Sequence, residues 1–500
     1  LKPRAILSVT DKTGLVELGR ELQRRGWEML ASGGTARVLR EAGIEVIGVS
    51  EVTGQEEILS GRVKTLHPAI AAGILAPREE DLEGTGFRTI DLVVVNLYDF
   101  AGALGRGEGE AGLVESVDIG GPTLLRAAAK NFERVTVLSD PRDYRAFLDE
   151  LDAHGGTTGQ DFRRRMAART FQRCSDYDRL IAGGLFREDG IPLAGQGLRY
   201  GENPHQKAWW RVDGGEDLRS VGLSRHGGKE LSYNNIVDLV AALKLALDLP
   251  TEACAILKHT NPCGVGIGPT PSAALERAFA GDPVSAFGGI VAFRREVDGA
   301  TAEALAGRFL EVVAAPSFDD EAVERLSKKK KLRWLSVDYD AFADATEGSE
   351  RRWGRLVLDQ DEDEGFPELE RFQLVAGPTP SDEDLQAARL AWITAKHVKS
   401  NAVVLADATG TVGIGAGQMS RVDSCHLAVG KARDAGLRIE GCAAASDGFF
   451  PFADGLEVLA EAGAKLVIQP GGSIRDEEVV AAAEKLGVIL LHTGTRHFRH

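Results

Sequence analysis

Ile90-Asp91-Leu92-Val93-Val94-Val95-Asn96 is a nearly continuous apolar run that ends on a polar amide. A run without polar alternation reads as a strand buried on both faces, the habit of parallel sheets. Working outward, Ala5-Ile6-Leu7-Ser8-Val9, Trp27 to Ala31 and Val135-Thr136-Val137-Leu138 are also strand-like. Thr13 to Arg25 carries Leu15, Leu18 and Leu22 at helical spacing, and Ala36 to Ala42 reads as a second helix. This alternation predicts an α/β fold with a doubly wound parallel sheet. A helical stretch from Gly159 to about Gly183 leads into Gly190-Ile191-Pro192-Leu193-Ala194-Gly195-Gln196-Gly197, the most linker-like segment. The main boundary is placed there, dividing residues 1–190 from 191–500.

The second part is again α/β and contains two related pieces. Ala255-Ile256-Leu257-Lys258-His259-Thr260-Asn261 is followed by Gly264-Val265-Gly266-Ile267-Gly268. Lys399-Ser400-Asn401-Ala402-Val403-Val404-Leu405 is followed by Gly413-Ile414-Gly415-Ala416-Gly417. The recurrence suggests an internal duplication, with subdomains of roughly 191–365 and 366–500. Ala253 to Leu257 reads as a buried strand, which Asn261-Pro262 followed by Gly264 is expected to end in a turn. Lys258 beside His259 at such a strand end suits proton transfer. The acidic run Asp359 to Glu364 reads as a solvated loop, and the Lys328 to Lys331 run as a solvated face.

Five hundred residues exceed one hydrophobic core, so at least two domains are expected. The 59 Lys and Arg against 75 Asp and Glu leave a formal charge of −16, which argues against a nucleic-acid or membrane-surface partner. Anions must then be held by local cations and backbone N–H groups. The five cysteines, Cys174, Cys254, Cys263, Cys425 and Cys442, form no CxxC pair, so neither a disulfide framework nor a structural zinc site is indicated. The cytoplasm is the expected compartment. No apolar segment approaches the roughly 18 residues of a membrane span, and no signal-peptide core is expected. The chain begins at Leu1 rather than Met, so a few leading residues are expected to be missing.

Three loops of the first part are rich in phosphate-binding groups. Ser32-Gly33-Gly34-Thr35 lies between a strand and a helix, where glycines admit a phosphate to backbone N–H groups and the helix dipole favours an anion. Arg62-Val63-Lys64-Thr65-Leu66-His67-Pro68 adds two cations and further donors. Ser8-Val9-Thr10-Asp11-Lys12-Thr13 adds more at the end of the first strand. Reactive candidates follow in Asn96-Leu97-Tyr98, in Asp118-Ile119-Gly120-Gly121-Pro122-Thr123 and in Lys130-Asn131. By spacing alone, Lys130 is a helix-end cation that complements the dipole.

Together these residues resemble one family, the bifunctional AICAR formyltransferase/IMP cyclohydrolases of purine biosynthesis. The markers run in order from Ile6 to His500: SVTDKTGL, ASGGTA, GRVKTLHP, VVVNLY, DIGGPTLLRAAAKN, LRYGENPHQ, LKHTNPCG, DPVSAFGGI, KSNAVV, GIGAGQMSR, SDGFFPF and the ending Thr495 to His500. The resemblance implies a methylglyoxal-synthase-like cyclohydrolase domain, and a transformylase of two cytidine-deaminase-like subdomains. It also implies a homodimer whose transformylase sites form between subunits. Thr10, Lys12, Ser32, Gly33, Gly34, Thr35, Arg62, Lys64 and Thr65 would hold the nucleotide. Asn96, Tyr98, Asp118 and Lys130 would surround the closing ring, with Lys130 moving the proton. Arg199, Tyr200, Lys258, His259, Gly288, Glu311, Asn401, Arg421, Phe449 and Arg496 match AICAR-site positions, and Val422, Phe452 and Asp454 match the folate site. Glu311 stands where some relatives have Asp, and Gly455 where some have Asn.

The implied chemistry is formyl transfer from 10-formyltetrahydrofolate to AICAR, giving formyl-AICAR, then dehydrative closure to IMP. His259 is read as the base or base-orienting group, Lys258 as the oxyanion stabiliser and acid, and Asn401 as the orienting amide. An ordinary Lys has a pKa of about 10.4, which suits donation. No catalytic metal is expected, since no His-x-Glu pairs with Pro-Cys-x-x-Cys. The competing readings are a nonenzymatic nucleotide-sensing module and a zinc nucleoside deaminase.

Overall fold

The computed structural model describes residues 2–56, 58, 63, 65–185, 196–212, 217–353, 356–361, 363 and 372–500. Arg62, Lys64 and the expected boundary at Gly190 and Ile191 lie outside the described residues. The chain divides into two compact units, Leu1–Leu193 and Ala194–His500.

In the first unit, β1 (Arg4–Ser8), β2 (Glu28–Ala31), β3 (Ile47–Gly48), β4 (Leu92–Val95) and β5 (Thr136–Leu138) form a parallel sheet. Their order is β3-β2-β1-β4-β5. The chain steps outward from β1 to β3 and then returns to the other side of β1. The switch point therefore lies between β1 and β4, where a crevice opens beyond the carboxyl ends of the strands. Ile6, Leu7, Leu30, Leu92, Val93, Val94 and Leu138 are buried, as a sheet covered on both faces requires. Helix α1 (Leu15–Arg24) buries Leu15, Leu18 and Leu22, each worth about 1.5–3 kcal/mol on full burial. Helix α2 (Gly33–Glu41) starts three residues before the expected Ala36. Extended Ser32 accepts the N–H groups of Thr35 and Ala36 on its carbonyl, so Gly33, Gly34 and Thr35 form the first turn rather than a loop. Helices α3 (Pro68–Leu75), α4 (Gly120–Lys130) and α5 (Gln160–Leu185) complete the elements that bear on the site.

The second unit is built twice over. Its first half contains β6 (Leu223–Gly227), α6 (Tyr233–Asp248), β7 (Ala253–Lys258), β8 (Asn261–Ile267), α7 (Pro271–Gly281), β9 (Ile290–Phe293), α8 (Gly299–Ala306), β10 (Val312–Ala315), α9 (Asp320–Ser327) and β11 (Arg333–Val337). Its second half repeats that order in β12 (Gln373–Ala376), α10 (Asp382–Lys396), β13 (Val403–Asp407), β14 (Gly410–Gly415), α11 (Arg421–Asp434), β15 (Ala443–Ser446), α12 (Asp454–Glu461), β16 (Leu466–Gln469), α13 (Asp476–Leu486) and β17 (Ile489–His492). The twelve strands form one sheet, β12-β17-β16-β15-β13-β14-β8-β7-β9-β10-β11-β6, whose two halves mirror each other across the antiparallel β14–β8 pair. The alternating glycines explain themselves here. A Cβ at Gly264 would lie 2.0 Å from the Ala278 carbonyl oxygen, and one at Gly413 2.1 Å from that of Ala428. Each glycine lets its helix, α7 or α11, lie directly on the strand.

Three local expectations are corrected. The turn after β7 is made by His259-Thr260, with φ of 51° and 62°, while Asn261 and Pro262 open β8 opposite Lys258 and Leu257. Positive φ at both central residues is the two-residue hairpin geometry that matches strand twist, and a bulge between Pro262 and Gly264 takes up the register shift beside the proline. The two lysine–asparagine motifs are not equivalent. Lys258 ends β7, whereas Lys399 precedes the start of β13, its counterpart strand. Antiparallel pairing nonetheless brings them to one edge, where the Lys399 N–H donates to Asn261 Oδ1 at 3.0 Å. Lastly, Asp359 of the acidic run lies in a strand, Leu356–Gln360, paired with Ser349–Trp353 rather than in a loop.

Candidate active sites

In the first unit the carboxyl ends of β1 and β4 are tied together by Asn96. Its Oδ1 accepts the N–H groups of Thr10 and Asp11 at 2.5 and 2.9 Å, and its Nδ2 donates to the Asp11 carbonyl at 2.8 Å. Beside them Lys12 Nζ donates to the Val9 carbonyl and to Thr35 Oγ1, and Ser8 and Ser32 hydroxyls meet at 3.2 Å. A lysine, three hydroxyls and the start of α2 thus converge at the switch point, a donor-rich arrangement for an anion. A cavity of 680 Å³ next to it is lined by Thr10, Asn96, Tyr98, Asp140, Arg173 and Tyr177, among others. Arg142 and then Arg173 hold the Asp140 carboxyl well below the usual range, so this wall is charged. Burial pushes the Tyr177 hydroxyl up to about 12, and that oxygen accepts the Asp118 N–H at 2.9 Å.

Asp118 sits at the head of α4, where its carboxylate accepts the Gly121 N–H at 2.7 Å. Thr65 is buried against the same turn: a Cβ on Gly120 would lie 2.9 Å from its Oγ1. Lys130 is placed elsewhere. It ends α4, about 15 Å along the helix axis from Gly120. The next residue, Asn131, donates to the carbonyls of Ile74 and Ala76 at the end of α3. A helix that follows a parallel strand runs back to the opposite edge of the sheet, and Lys130 goes with it. Within one chain, Lys130 thus lies at the other end of α4 from Asp118.

Two cavities of the second unit hold the sequence-predicted residues and share no lining residue. One, of 380 Å³, contains Lys258 and His259 with Asn261, Cys263, Asp282 and Lys431. Lys258 Nζ donates to the Phe287 carbonyl at 2.8 Å. Phe287 belongs to a loop anchored by Asp282, which accepts from Lys431 of the other half. Gly288 follows with φ 77°, and Glu311 accepts from the buried Arg333. Burial pushes the Cys263 thiol up to about 12, which makes it a wall rather than a nucleophile.

The other cavity, of 310 Å³, gathers Asn401, Arg421, Val422, Phe449, Phe452 and Asp454 with Met419, Pro451 and Phe498. Buried Arg421 donates to Asp447, to Ser446 Oγ at 2.9 Å and to Asn401 Oδ1 at 2.9 Å. The Asn401 amide is itself committed to the carbonyls of Gln418 and Met419. Arg496 lies 4.4 Å from the Phe498 ring centre, and Arg475 4.8 Å from that of Phe452. Arg199 packs on the Tyr200 ring at 4.7 Å, just after the strand Gln196–Leu198. Gly455 has a packing reason: a Cβ there would lie 2.7 Å from the Phe450 ring. Sequence reasoning missed Asp140, Arg173 and Lys431, which lie in no recognisable short motif, and did not single out Asp282 and Phe498, although DPVSAFGGI and the ending Thr495 to His500 contain them. Among the described residues, no group of three or more His, Cys, Asp and Glu is placed to hold a metal ion, and no helix is long and apolar enough to cross a membrane.

The parallel switch-point sheet and the internally duplicated second unit, which carries Lys258-His259 in one half, define a two-part α/β protein. Residues 14–123 match the MGS-like domain family and residues 128–431 the AICARFT/IMPCHase bienzyme family. A bifunctional purine biosynthesis protein PurH of Dinoroseobacter shibae is 48% identical, covering 99% of this chain and 98% of its own length. That of Roseobacter denitrificans is 46% identical over the same shares. The crystal structure of ForH is 39% identical, covering 37% of this chain and 96% of its own, with a TM-score of 0.33. The chain belongs to the AICARFT/IMPCHase bienzyme family. It is a bifunctional enzyme, a formyltransferase and a cyclohydrolase.

Proposed function

We propose that the second unit transfers the formyl group of 10-formyltetrahydrofolate to the 5-amino group of AICAR, and that the first closes formyl-AICAR to IMP. The observation that carries this is the Lys258–His259 pair at the mouth of a cavity, with Lys258 already fixed on a carbonyl oxygen. The amine is a poor nucleophile because its lone pair delocalises into the ring and carboxamide. His259 accepts its proton as the nitrogen bonds the formyl carbon. Lys258 stabilises the tetrahedral oxyanion and protonates the departing folate nitrogen as the old C–N bond breaks. Arg421, Arg199, Tyr200, Phe449, Glu311, Gly288 and Arg496 hold AICAR, and Asn401 fixes Arg421. The exposed Phe452 with Val422 and Asp454 suits a flat pterin ring that carries N–H donors.

Ring closure has both partners on one molecule, so the site mainly fixes conformation and moves protons. The carboxamide nitrogen attacks the formyl carbon and water leaves. Lys12, Ser32, Gly33, Gly34, Thr35, Thr65, Arg62 and Lys64 hold the phosphate and ribose, while Thr10, Asn96, Tyr98 and Asp118 face the base. Lys130 reaches such a site only from a second copy of the chain.

The active form is a homodimer in the cytoplasm, whose reducing conditions suit five unpaired, buried cysteines. Two features support a site shared between subunits. The Lys258 and Arg421 cavities have no residue in common, and each is rimmed by exposed apolar side chains, Val284 and Phe287 at one and Met419 and Phe452 at the other. The test is conversion of AICAR and 10-formyltetrahydrofolate to IMP, followed by mixing Lys258→Ala with Arg421→Ala protein. Hybrid dimers regain formyl transfer if each site draws on both subunits. No activity in the mixture, from two folded variants that exchange subunits, refutes the shared site.

A further inference from the structure

The turn that presents His259 does not hold itself in shape. His259 and Thr260 both have positive φ, a region that Gly and Asn adopt readily and a β-branched Thr does not. Two-residue hairpins of this type favour Asn-Gly, and here the sequence is His-Thr. A conformation of this kind persists only where its surroundings over-determine it.

The restraint comes from α6. Asp238 reaches the turn from one side, and its two carboxylate oxygens divide the two N–H groups of the turn. Oδ1 accepts from Thr260 at 2.8 Å and Oδ2 from His259 at 3.2 Å. Neither N–H has a ladder partner, because the pairing closes at Lys258 and Asn261. Asn261 Nδ2 adds a bond to the His259 carbonyl at 3.2 Å. Burial pushes the Asp238 carboxyl above its usual range and the two N–H bonds pull it back, so the group is partly desolvated for this contact.

We propose that Asp238 is a positioning residue for formyl transfer, which clamps the left-handed His259-Thr260 turn and thereby sets where the imidazole stands. The proposal rests on the reading of Lys258 and His259 as the reacting pair. It touches neither substrate nor the reacting atoms. Because His259 is exposed on a two-residue turn, its ring position follows the turn's backbone, and a misplacement of about 1 Å can cost about 10²-fold in rate.

The test uses the full chain and four variants: Asp238→Ala, Asp238→Asn, Thr260→Gly and Asp238→Ala/Thr260→Gly. Thermal unfolding and closure of supplied formyl-AICAR serve as controls for fold. Asp238→Ala should lower kcat for formyl transfer by about tenfold to 10²-fold with little change in KM for either substrate. Asp238→Asn keeps its shape and one acceptor, so it should fall between Asp238→Ala and the parent chain, and it serves if Asp238→Ala does not fold. Thr260→Gly alone should be near neutral, and in the Asp238→Ala background it should recover much of the lost kcat, since glycine adopts the turn without a clamp. A purely structural Asp238 would not be rescued by a glycine in the turn. Parent-level kcat in folded Asp238→Ala, or a loss that Thr260→Gly leaves untouched, overturns the proposal. His259→Ala measured alongside separates the causes. If it too keeps full turnover, the reading of the reacting pair falls and the proposal with it; if it does not, only the clamp falls.

Discussion

Arg421 and Asn401 are joined by a hydrogen bond from Nη2 to Oδ1 at 2.9 Å, and the amide of Asn401 spends both its hydrogens on the carbonyls of Gln418 and Met419. Asn401 is thus a bracket for the arginine, not a free donor. Asn401→Asp would turn a carboxylate oxygen toward those two carbonyls. Formyl transfer should fall further than in Asn401→Ala, because the acid adds repulsion to the loss of bonds, each of which is worth about 1 kcal/mol. Steady-state kcat and KM for AICAR on both variants check the order.

Lys258→Ala and His259→Ala should each reduce formyl transfer by about 10²–10⁴-fold and leave closure of supplied formyl-AICAR intact. Lys258→Arg should not rescue, since a guanidinium keeps its proton near neutral pH. Release of tetrahydrofolate is the readout. Near-parent turnover in a folded alanine variant removes the assignment.

At Asp118 the fold and the chemistry can be separated. Its carboxylate accepts the Gly121 N–H, and loss of such a contact at a helix start costs about 0.5–2 kcal/mol. Asp118→Ala should lower both Tm and ring closure. Asp118→Asn retains an acceptor, so it should keep Tm while closure still drops. Equal closure rates in Asp118→Asn and the parent chain would make Asp118 a helix anchor only.

His397 predicts a pH dependence of stability. Burial holds its pKa below the ordinary 6.5, although Asp248, 2.6 Å from Nε2, favours the charged form. The unfolded chain therefore binds a proton near pH 6.5 that the folded chain refuses, so stability should fall as pH drops through that value. For Asp248, burial acts upward but the hydrogen bond and charge of His397 hold the carboxyl below its ordinary value, so its contribution is lost only at lower pH. Tm measured from pH 7.5 to 5.5 should slope more steeply for the parent chain than for His397→Gln. Parallel slopes would show that His397 titrates alike in both states.

The strands were legible because burial on both faces leaves a long apolar signature, and Leu92 to Val95 carried it. The duplication was legible from its glycines, which record helix-on-strand contact. The His259-Thr260 turn was not, because Asn-Pro-x-Gly is the stronger local signal and the restraint that overrides it comes from Asp238, twenty-one positions away. The position of Lys130 was not legible either: spacing gives only a helix-end cation, and an eleven-residue helix carries it to the other end from Asp118. The pairing of Asp282 with Lys431 spans 149 positions, and no local pattern announces it.

The pairing of β14 with β8 has a consequence for how this unit can be made. Gly266 lies opposite Gly410, the Ile267 N–H bonds the Thr409 carbonyl at 2.7 Å, and the Val265 N–H bonds Thr411 Oγ1 at 2.9 Å. Each half thereby covers the raw border of the other. Expressed separately, either half would present a flat, glycine-rich strand with unsatisfied N–H and C=O groups, a template for sticking to its own kind. Each half is therefore expected to need the other to stay soluble, whatever chemistry it carries.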